Sequence, residues 1–413
     1  MNIENIRSSR RKGRNGTQEF FTPGFIVNRM SNKINDKIWE NPNTSFFEPC
    51  FGDGNFILEI LKRKINNKID WRTALNSIYG IELMEDNVEE CKNRILEYLN
   101  LSLEEKKEAI NIINKNLICG NFLLIENHNH YDVILMNPPY NAGLGEKFLE
   151  KCIDIADRII TIQPYTWFIG LRQNNSLLNK IRNKYLEYDK DDEIENAFLN
   201  SVGDPMIVGI FYIDNLKETK LIINNEGYYS VLKEWPERIY RFIGIDYLEE
   251  FNKSIYEYYI KDNVDKHIKK FQKESFLKDN YIIRVPRIRG HLGRSDMYTM
   301  FPNDEIYLKN NSGKLSDLIN KVNIKRYIEF NSKEELDGFI NYSKTYFFRA
   351  SMFLSKISQG VADCKGCIRI PWFDFKNEIF QNHFNVIDEY LFDYFHLNHI
   401  KDKIYQKLGP FYN

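Results

Sequence analysis

Four apolar residues, Val133-Ile134-Leu135-Met136, run without interruption into Asn137-Pro138-Pro139-Tyr140. An apolar run of this length, rich in branched side chains, reads as a strand buried on both faces, as in a parallel sheet. It ends at Asn137 because neither proline can donate to a strand ladder and each fixes φ. Asn137 and Tyr140 are thereby set on a stiff turn at the carboxyl end of a strand. In an open α/β sheet ligands bind at that edge.

The same pattern recurs upstream. Residues 45–57 carry a short apolar strand into Glu48-Pro49-Cys50-Phe51-Gly52-Asp53-Gly54, followed by an apolar helix from Phe56. Two glycines one residue apart let backbone approach a ligand closely, although the third glycine of a dinucleotide fingerprint is lacking. Ile78-Tyr79-Gly80-Ile81-Glu82 is a second strand ending in a carboxylate, placed where an acid can bond ribose hydroxyls. Leu117–Phe122 is a third strand end, and Ile159–Pro164 is a fifth strand after the helix that holds Phe148. Met206–Ile213 and Lys220–Ile223 read as a terminal hairpin. Strands alternating with helices predict a doubly wound α/β fold with a mostly parallel sheet covered on both faces. Ahead of it, Thr22-Pro23 reads as an N-cap and first helical residue of a helix running to about Ile38.

Beyond about residue 225 the texture changes to aromatic-rich segments and Gly-containing turns, which predicts a mixed α+β region. The expected organisation is a basic arm over 1–16, an α/β domain over 17–225 and a second domain over 226–413. A net charge of −1 excludes a uniformly basic nucleic-acid binder. Lys261 to Arg294 nevertheless holds ten Lys or Arg against four Asp or Glu, a local excess of six. In it, Lys266, Lys269 and Lys270 are expected on a helix face against phosphates. Arg287, Arg289, His291 and Arg294 are expected to reach base edges, from an irregular edge segment over 282–291. No apolar run is long enough to span a bilayer. The N-terminus lacks a signal-peptide core and the cysteines are scattered, as in a reduced, cytoplasmic protein. Cys364-Lys365-Gly366-Cys367 has no second pair to complete a zinc site, so no metal is expected.

The turn at Asn137 suits a particular chemical problem. An amino group conjugated to a ring or carbonyl is a poor nucleophile because its lone pair is delocalised. The Asn137 side-chain oxygen and the Pro138 carbonyl can each accept one of its N–H bonds and draw the nitrogen toward tetrahedral geometry. Tyr140 offers a ring for stacking a flat substrate. One of Phe211 and Tyr212 is expected to face that substrate from the other side, with Phe211 preferred; adjacent strand residues point to opposite faces.

Taken in order, the segments over about 18–213 resemble the N6-adenine DNA methyltransferases in the arrangement where the cofactor region precedes the recognition region. The motifs that carry the resemblance are Phe20-x-Thr22-Pro23, Glu48-Pro-x-x-Gly52-x-Gly54, Glu82, Asn121-Phe122, Asn137-Pro138-Pro139-Tyr140, Phe148-Leu-Glu-Lys and Gln163-Pro164-x-x-Trp167. The resemblance implies a Rossmann-like methyltransferase sheet and S-adenosylmethionine held by Thr22, Glu48, Cys50, Gly52, Gly54, Glu82, Asn121, Phe122 and Phe148. It also implies catalysis by Asn137, Pro138, Pro139 and Tyr140 on an adenine flipped out of double-stranded DNA, and a cognate restriction endonuclease as a candidate partner. Asn121 departs from the family's Asp. Residues 371–374 and a closing helix over 388–405 are loosely similar to recognition domains of larger methylases. The rival expectations are a protein glutamine-N5 or RNA base methyltransferase with the same turn, and a DNA-binding protein on a decayed scaffold. The last would have lost part of Asn137–Tyr140, and all four are present.

Overall fold

The structure is a computed structural model that describes residues 21–126, 129–140, 143–164, 167–168, 176–182, 184–191, 193–194, 197, 208–225, 228–232, 235, 245–270, 281–284, 306–308, 326–355 and 367–409. The chain forms two compact units, Met1–Ile239 and Tyr240–Asn413. The basic arm and Arg287, Arg289, His291 and Arg294 lie outside the described residues.

The first unit is built on one nine-stranded sheet. Its strands are β1 (Phe46–Glu48), β2 (Ile78–Glu82), β3 (Leu117–Cys119), β4 (Tyr131–Met136), β5 (Ala156–Pro164), β6 (Tyr185–Lys190), β7 (Val208–Asp214), β8 (Lys220–Asn225) and β9 (Tyr228–Leu232). Their order is β3-β2-β1-β4-β5-β7-β6-β8-β9. The first five are parallel, and β7 runs antiparallel to both β5 and β6. This is the α/β, mostly parallel architecture the alternation predicts. The order reverses between β1 and β4, which opens a crevice at their carboxyl ends.

Both faces are buried for the reason the strand sequences give. In β1, Phe46 and Phe47 point to opposite faces, yet they are 0% and 1% exposed. Phe46 joins Val133, Leu135, Ile160 and Ile162 against the helices α1 (Gly24–Ser31) and α3 (Asn55–Asn66), the shorter α2 (Asp36–Glu40) packing beside α3. Phe47 stacks on Tyr131 and meets Phe122, which in turn meets Phe148. The remaining helices are α4 (Trp71–Asn76), α5 (Glu85–Leu99), α6 (Leu103–Asn116), α7 (Leu144–Ile153) and α8 (Ser176–Ile181).

Two local expectations are corrected. The helix after Pro23 does not run to Ile38: it stops at Ser31, and α2 restarts after Asn35, whose side chain accepts from the Lys37 N–H as an N-cap. The terminal hairpin is β8–β9, not 208–213 with 220–223, because β6 lies between β7 and β8. The charged sequence of β6, Tyr-Leu-Glu-Tyr-Asp-Lys, hides a strand whose Leu186 and Tyr188 are buried. Its Asp189 is held by Arg29 of α1, by Lys33 just beyond it and by the Asn224 amide.

The second unit has a four-stranded antiparallel sheet, β10 (Lys269–Lys270), β13 (Arg326–Phe330), β11 (Tyr281–Arg284) and β12 (Ile306–Leu308), in that order. Its helices are α9 (Asp246–Lys261), α10 (Val264–His267), α11 (Lys333–Ser343), α12 (Tyr346–Ser355), α13 (Phe384–Tyr394) and α14 (Lys401–Leu408). Trp372 centres an aromatic core with His267, Phe330, Phe339 and Phe375. The buried Asp388 carboxylate accepts the Tyr346 and Phe347 N–H groups at the start of α12, and the buried Arg349 guanidinium donates to the Leu408 and Gly409 carbonyls at the end of α14. Three sequence expectations change here. Lys269 and Lys270 lie on a strand, so they do not share a face with Lys266; α10 lasts only from Val264 to His267 before the chain pairs with β13. Residues 281–284 are an interior strand, paired with β13 and β12. The closing segment breaks into α13 and α14 at His396, which takes φ +58°. No helix of the described residues is long and apolar enough to cross a membrane.

Candidate active site

Three stretches meet at the β1/β4 crevice. The turn after β4 brings Asn137, Pro138, Pro139 and Tyr140; the loop after β1 brings Glu48 to Gly54; the approach to α1 brings Thr22. The Asn137 amide nitrogen donates to Thr22 Oγ1 at 2.9 Å, across 115 residues of chain. On its other side the Tyr140 hydroxyl donates to Asn137 Oδ1 at 2.5 Å and lies 3.0 Å from the Ile162 carbonyl. The Cys50 thiol donates to the Asn137 carbonyl at 3.5 Å. Burial raises the Cys50 thiol well above its ordinary range, with Glu48 and Glu82 adding to the effect, so it is a neutral donor. Thr22 is therefore no helix cap: Pro23 takes the cap position, and the hydroxyl faces Asn137 instead.

The loop is shaped by its glycines. Gly52 and Gly54 have φ of +53° and +91°. A Cβ on Gly54 would lie 2.3 Å from Cys91 Sγ, so only glycine fits beneath α5. The Gly52 N–H donates to Glu82 Oε2 at 2.8 Å and the Met84 N–H to Glu82 Oε1 at 2.9 Å, so Glu82 ties the loop to the end of β2. Glu48 is 2% exposed, and its Oε2 has no hydrogen-bond partner among the described residues. Burial first, then the neighbouring Glu82 and Asp53, hold its carboxyl well above the usual carboxylate range. A buried carboxyl oxygen without a partner is costly, and none of the described residues supplies one.

Asn121 is exposed and its Oδ1 accepts from the Leu123 N–H, shaping the turn after β3. Phe122 and Phe148 are buried and their ring centroids stand 5.2 Å apart; the Lys151 ammonium lies over Phe122 and donates to the Phe122 and Ile125 carbonyls. Phe211 is not brought to Tyr140. It is fully buried among Trp167, Phe168 and Tyr188, while Tyr140 packs against the core cluster to which β7 contributes Val208, Ile210 and Tyr212. In the second unit, Lys266 donates to the Ile260 and Lys261 carbonyls at the end of α9, and Lys269 pairs with Glu329 across β10–β13.

Sequence reasoning passed over three residues of this site. Asn55 donates to the Thr22 carbonyl and accepts from Arg94, which also binds Asp53. Leu83, directly after Glu82, is 58% exposed and gives the β2 end an apolar surface. Asn55 follows Gly54 and might be sought there, but nothing in the sequence of α5 singles out Arg94.

Parallel strands reversing order at a glycine loop, with an acid ending the second strand, define a doubly wound, nucleotide-binding type of α/β fold. The profile of the N-6 DNA Methylase family matches residues 7–164. No curated protein sequence matches the chain. Among solved structures, the chain is similar to a modification subunit assigned to a type I restriction enzyme of Vibrio vulnificus YJ016, at 14% identity and TM-score 0.37, over 54% of this chain and 50% of that one. It is similar to the M protein of the type I restriction enzyme EcoKI, at 13% identity and TM-score 0.37, over 50% of this chain and 48% of that one. It is also similar to DrdV in a complex with DNA, at 13% identity and TM-score 0.38, over 54% of this chain and 28% of that one. The chain spans about half the length of the first two.

Proposed function

We propose that the protein is a DNA adenine N6-methyltransferase that uses S-adenosylmethionine and acts on an adenine turned out of double-stranded DNA. The observation that carries this reading is the meeting of Asn137 with the Glu48–Gly54 loop at the sheet's switch point, joined by the Cys50 and Thr22 contacts. An acceptor pair for an amino group thus stands beside a cradle for a charged, nucleoside-bearing cofactor. The cofactor supplies an electrophilic methyl group when bound. Its ammonium suits the unpartnered Glu48 Oε2, its ribose suits Glu82 beside the exposed Leu83, and its adenine suits the segment of Asn121, Phe122 and Phe148.

Asn137 Oδ1 and the Pro138 carbonyl then accept the target N–H bonds, and Tyr140 stacks on the base. The Tyr140 hydroxyl must leave Asn137 Oδ1 as the amino group arrives, since both claim the same acceptor. No side chain is asked to take a proton in the transfer itself; positioning and fixed dipoles carry the rate. The second unit, Tyr240–Asn413, is read as the target-recognition region; it begins later than the residue 226 expected from the sequence because Tyr228–Leu232 adds a strand to the first sheet. A cognate restriction endonuclease is the proposed partner.

The test is methyl transfer from labelled cofactor to DNA, to RNA and to a glutamine-bearing release-factor protein, with the product base identified. N6-methyladenine in DNA is expected. Asn137→Ala should cut kcat by about 10²-fold or more, the usual size for a preorganised transition-state contact, with cofactor affinity unchanged. Labelling of RNA or protein in place of DNA, or an Asn137→Ala variant with near-normal kcat, would refute the reading.

A further inference from the structure

The Asn137 carboxamide can turn by half a rotation about its last bond, exchanging its oxygen for its nitrogen. In the reading above, only the rotamer with the oxygen toward the substrate accepts the target N–H. The other rotamer presents an NH2 group to an NH2 group, donor against donor. Something must therefore hold the nitrogen on the far side.

We propose that Thr22 is the positioning residue that fixes this orientation: its hydroxyl accepts from Asn137 Nδ2 at 2.9 Å, leaving Oδ1 on the side where the Tyr140 hydroxyl sits. Thr22 suits the task because it is itself immobilised. It is 5% exposed, and its carbonyl accepts from Asn55 Nδ2 at 3.0 Å. Asn55 Oδ1 accepts from Arg94 Nη2 at 2.8 Å, and Arg94 donates to the Asp53 carbonyl at 2.7 Å and pairs with its carboxylate. A chain of side chains thus runs from the glycine loop through Asn55 to Thr22 and on to the amide that touches the substrate. The loop that receives the cofactor also sets the acceptor for the target. This inference rests on the proposed function and assigns Thr22 to the target side of the site, apart from any contact with cofactor.

The experiment compares Thr22→Val, which keeps shape and removes the acceptor, with Thr22→Ser, which keeps the hydroxyl. Two readouts are taken on the full chain: kcat and cofactor affinity, and the side-chain NH2 resonances of protein labelled with 15N-asparagine, the Asn137 pair located by its loss in Asn137→Asp. Thr22→Val is expected to lower kcat at saturating cofactor by roughly 10–100-fold, the scale of a small misplacement at a reacting centre. Cofactor affinity should hold, and the Asn137 NH2 signals should shift and exchange faster with water. Thr22→Ser should restore most of the rate and the signals. Weakened cofactor affinity with kcat preserved would overturn the inference and leave the proposed function standing. Wild-type protein that methylates no DNA would refute the function; the inference would then be judged by the NH2 signals, and signals unmoved in Thr22→Val would overturn it.

Discussion

Replacing Glu82 by Gln tests whether the cofactor cradle is held together before any ligand arrives. Both carboxylate oxygens already accept backbone N–H groups, Gly52 at 2.8 Å and Met84 at 2.9 Å, with the Asn87 amide 3.5 Å from Oε1. A glutamine has one oxygen, so its NH2 must face one of the two backbone donors. That leaves a buried N–H without an acceptor, which costs about 1–3 kcal/mol, and it also loses a charge-assisted bond worth about 1.5–3 kcal/mol. Since the two are partly the same loss, we expect a destabilisation of the first unit of about 2–3 kcal/mol, present without ligand. The assay is native-state hydrogen exchange at the Gly52 and Met84 amides, with calorimetric titration of the cofactor alongside. At least one of the two amides should exchange about 30-fold to 150-fold faster, since about 1.4 kcal/mol is a factor of ten, and cofactor affinity should fall further because the Gly52–Gly54 turn is no longer pinned. Unchanged protection at both amides would show that Glu82 does not tie the loop. Unchanged cofactor affinity with lost protection would move the ribose contact elsewhere.

Three further outcomes follow from particular contacts. Tyr140→Phe removes the hydroxyl that occupies Asn137 Oδ1 but keeps the ring, so steady-state methylation should survive it and be lost in Tyr140→Ala; a Phe variant as inactive as Ala would give the hydroxyl a direct role. Burial pushes the Lys64 ammonium down to about 8 from 10.5, although it donates to the Thr44 carbonyl at 2.8 Å. A depressed folded pKa means the folded state releases its proton first, so stability should rise with pH between about 8 and 10.5 and be lost as pH falls through 8. Denaturant unfolding across that window should show the slope in wild type and a flatter curve in Lys64→Met. Lys269→Ala should change the pairing of β10 with β13 by no more than about 1 kcal/mol, as expected for an exposed ion pair, and leave the salt slope of DNA binding nearly as it was, because Glu329 already neutralises that ammonium. A salt slope smaller by about one would place Lys269 on phosphate after all.

The parts of the molecule that the sequence discloses are those where local pattern and final role coincide. Val133–Met136 is apolar on both faces because both faces are covered, and the prolines after it end the ladder wherever the strand sits. Gly52 and Gly54 are demanded by positive φ, a backbone property of the loop itself. Where pattern and role part, the reading fails. β6 is a strand although its Glu187, Asp189 and Lys190 look like a solvated turn, since Arg29 and Asn224, which hold Asp189, and Lys33, which pairs with Glu187, are more than thirty residues away in the chain. Lys266 and Lys269 look like one helix face until Lys266 is placed on the carbonyl ending α9 and Lys269 on a strand against Glu329. Thr22 is read as a cap because Thr-Pro before an apolar run commonly is one, and its actual partner lies 115 residues on.

The long separations at the site have a physical reason. In the proposed reaction, transfer to an amino group without a general base asks little of local pKa and much of geometry. The groups that supply such geometry must come from different strand ends, because one stretch of chain cannot surround a reacting atom. Asn137, Cys50, Thr22 and Glu82 each lie at the end of a different element, and each makes a bond to the loop of another element. Gly52 bonds Glu82, Cys50 bonds the Asn137 carbonyl, Asn137 bonds Thr22, and Asn55 returns the connection to the glycine loop. The circuit closes on itself around the β1/β4 crevice. Loosening any one bond therefore moves both the cofactor cradle and the acceptor for the target, so single substitutions in it should change binding and rate together unless, as with Thr22→Val, the bond broken is the one that reaches only the amide.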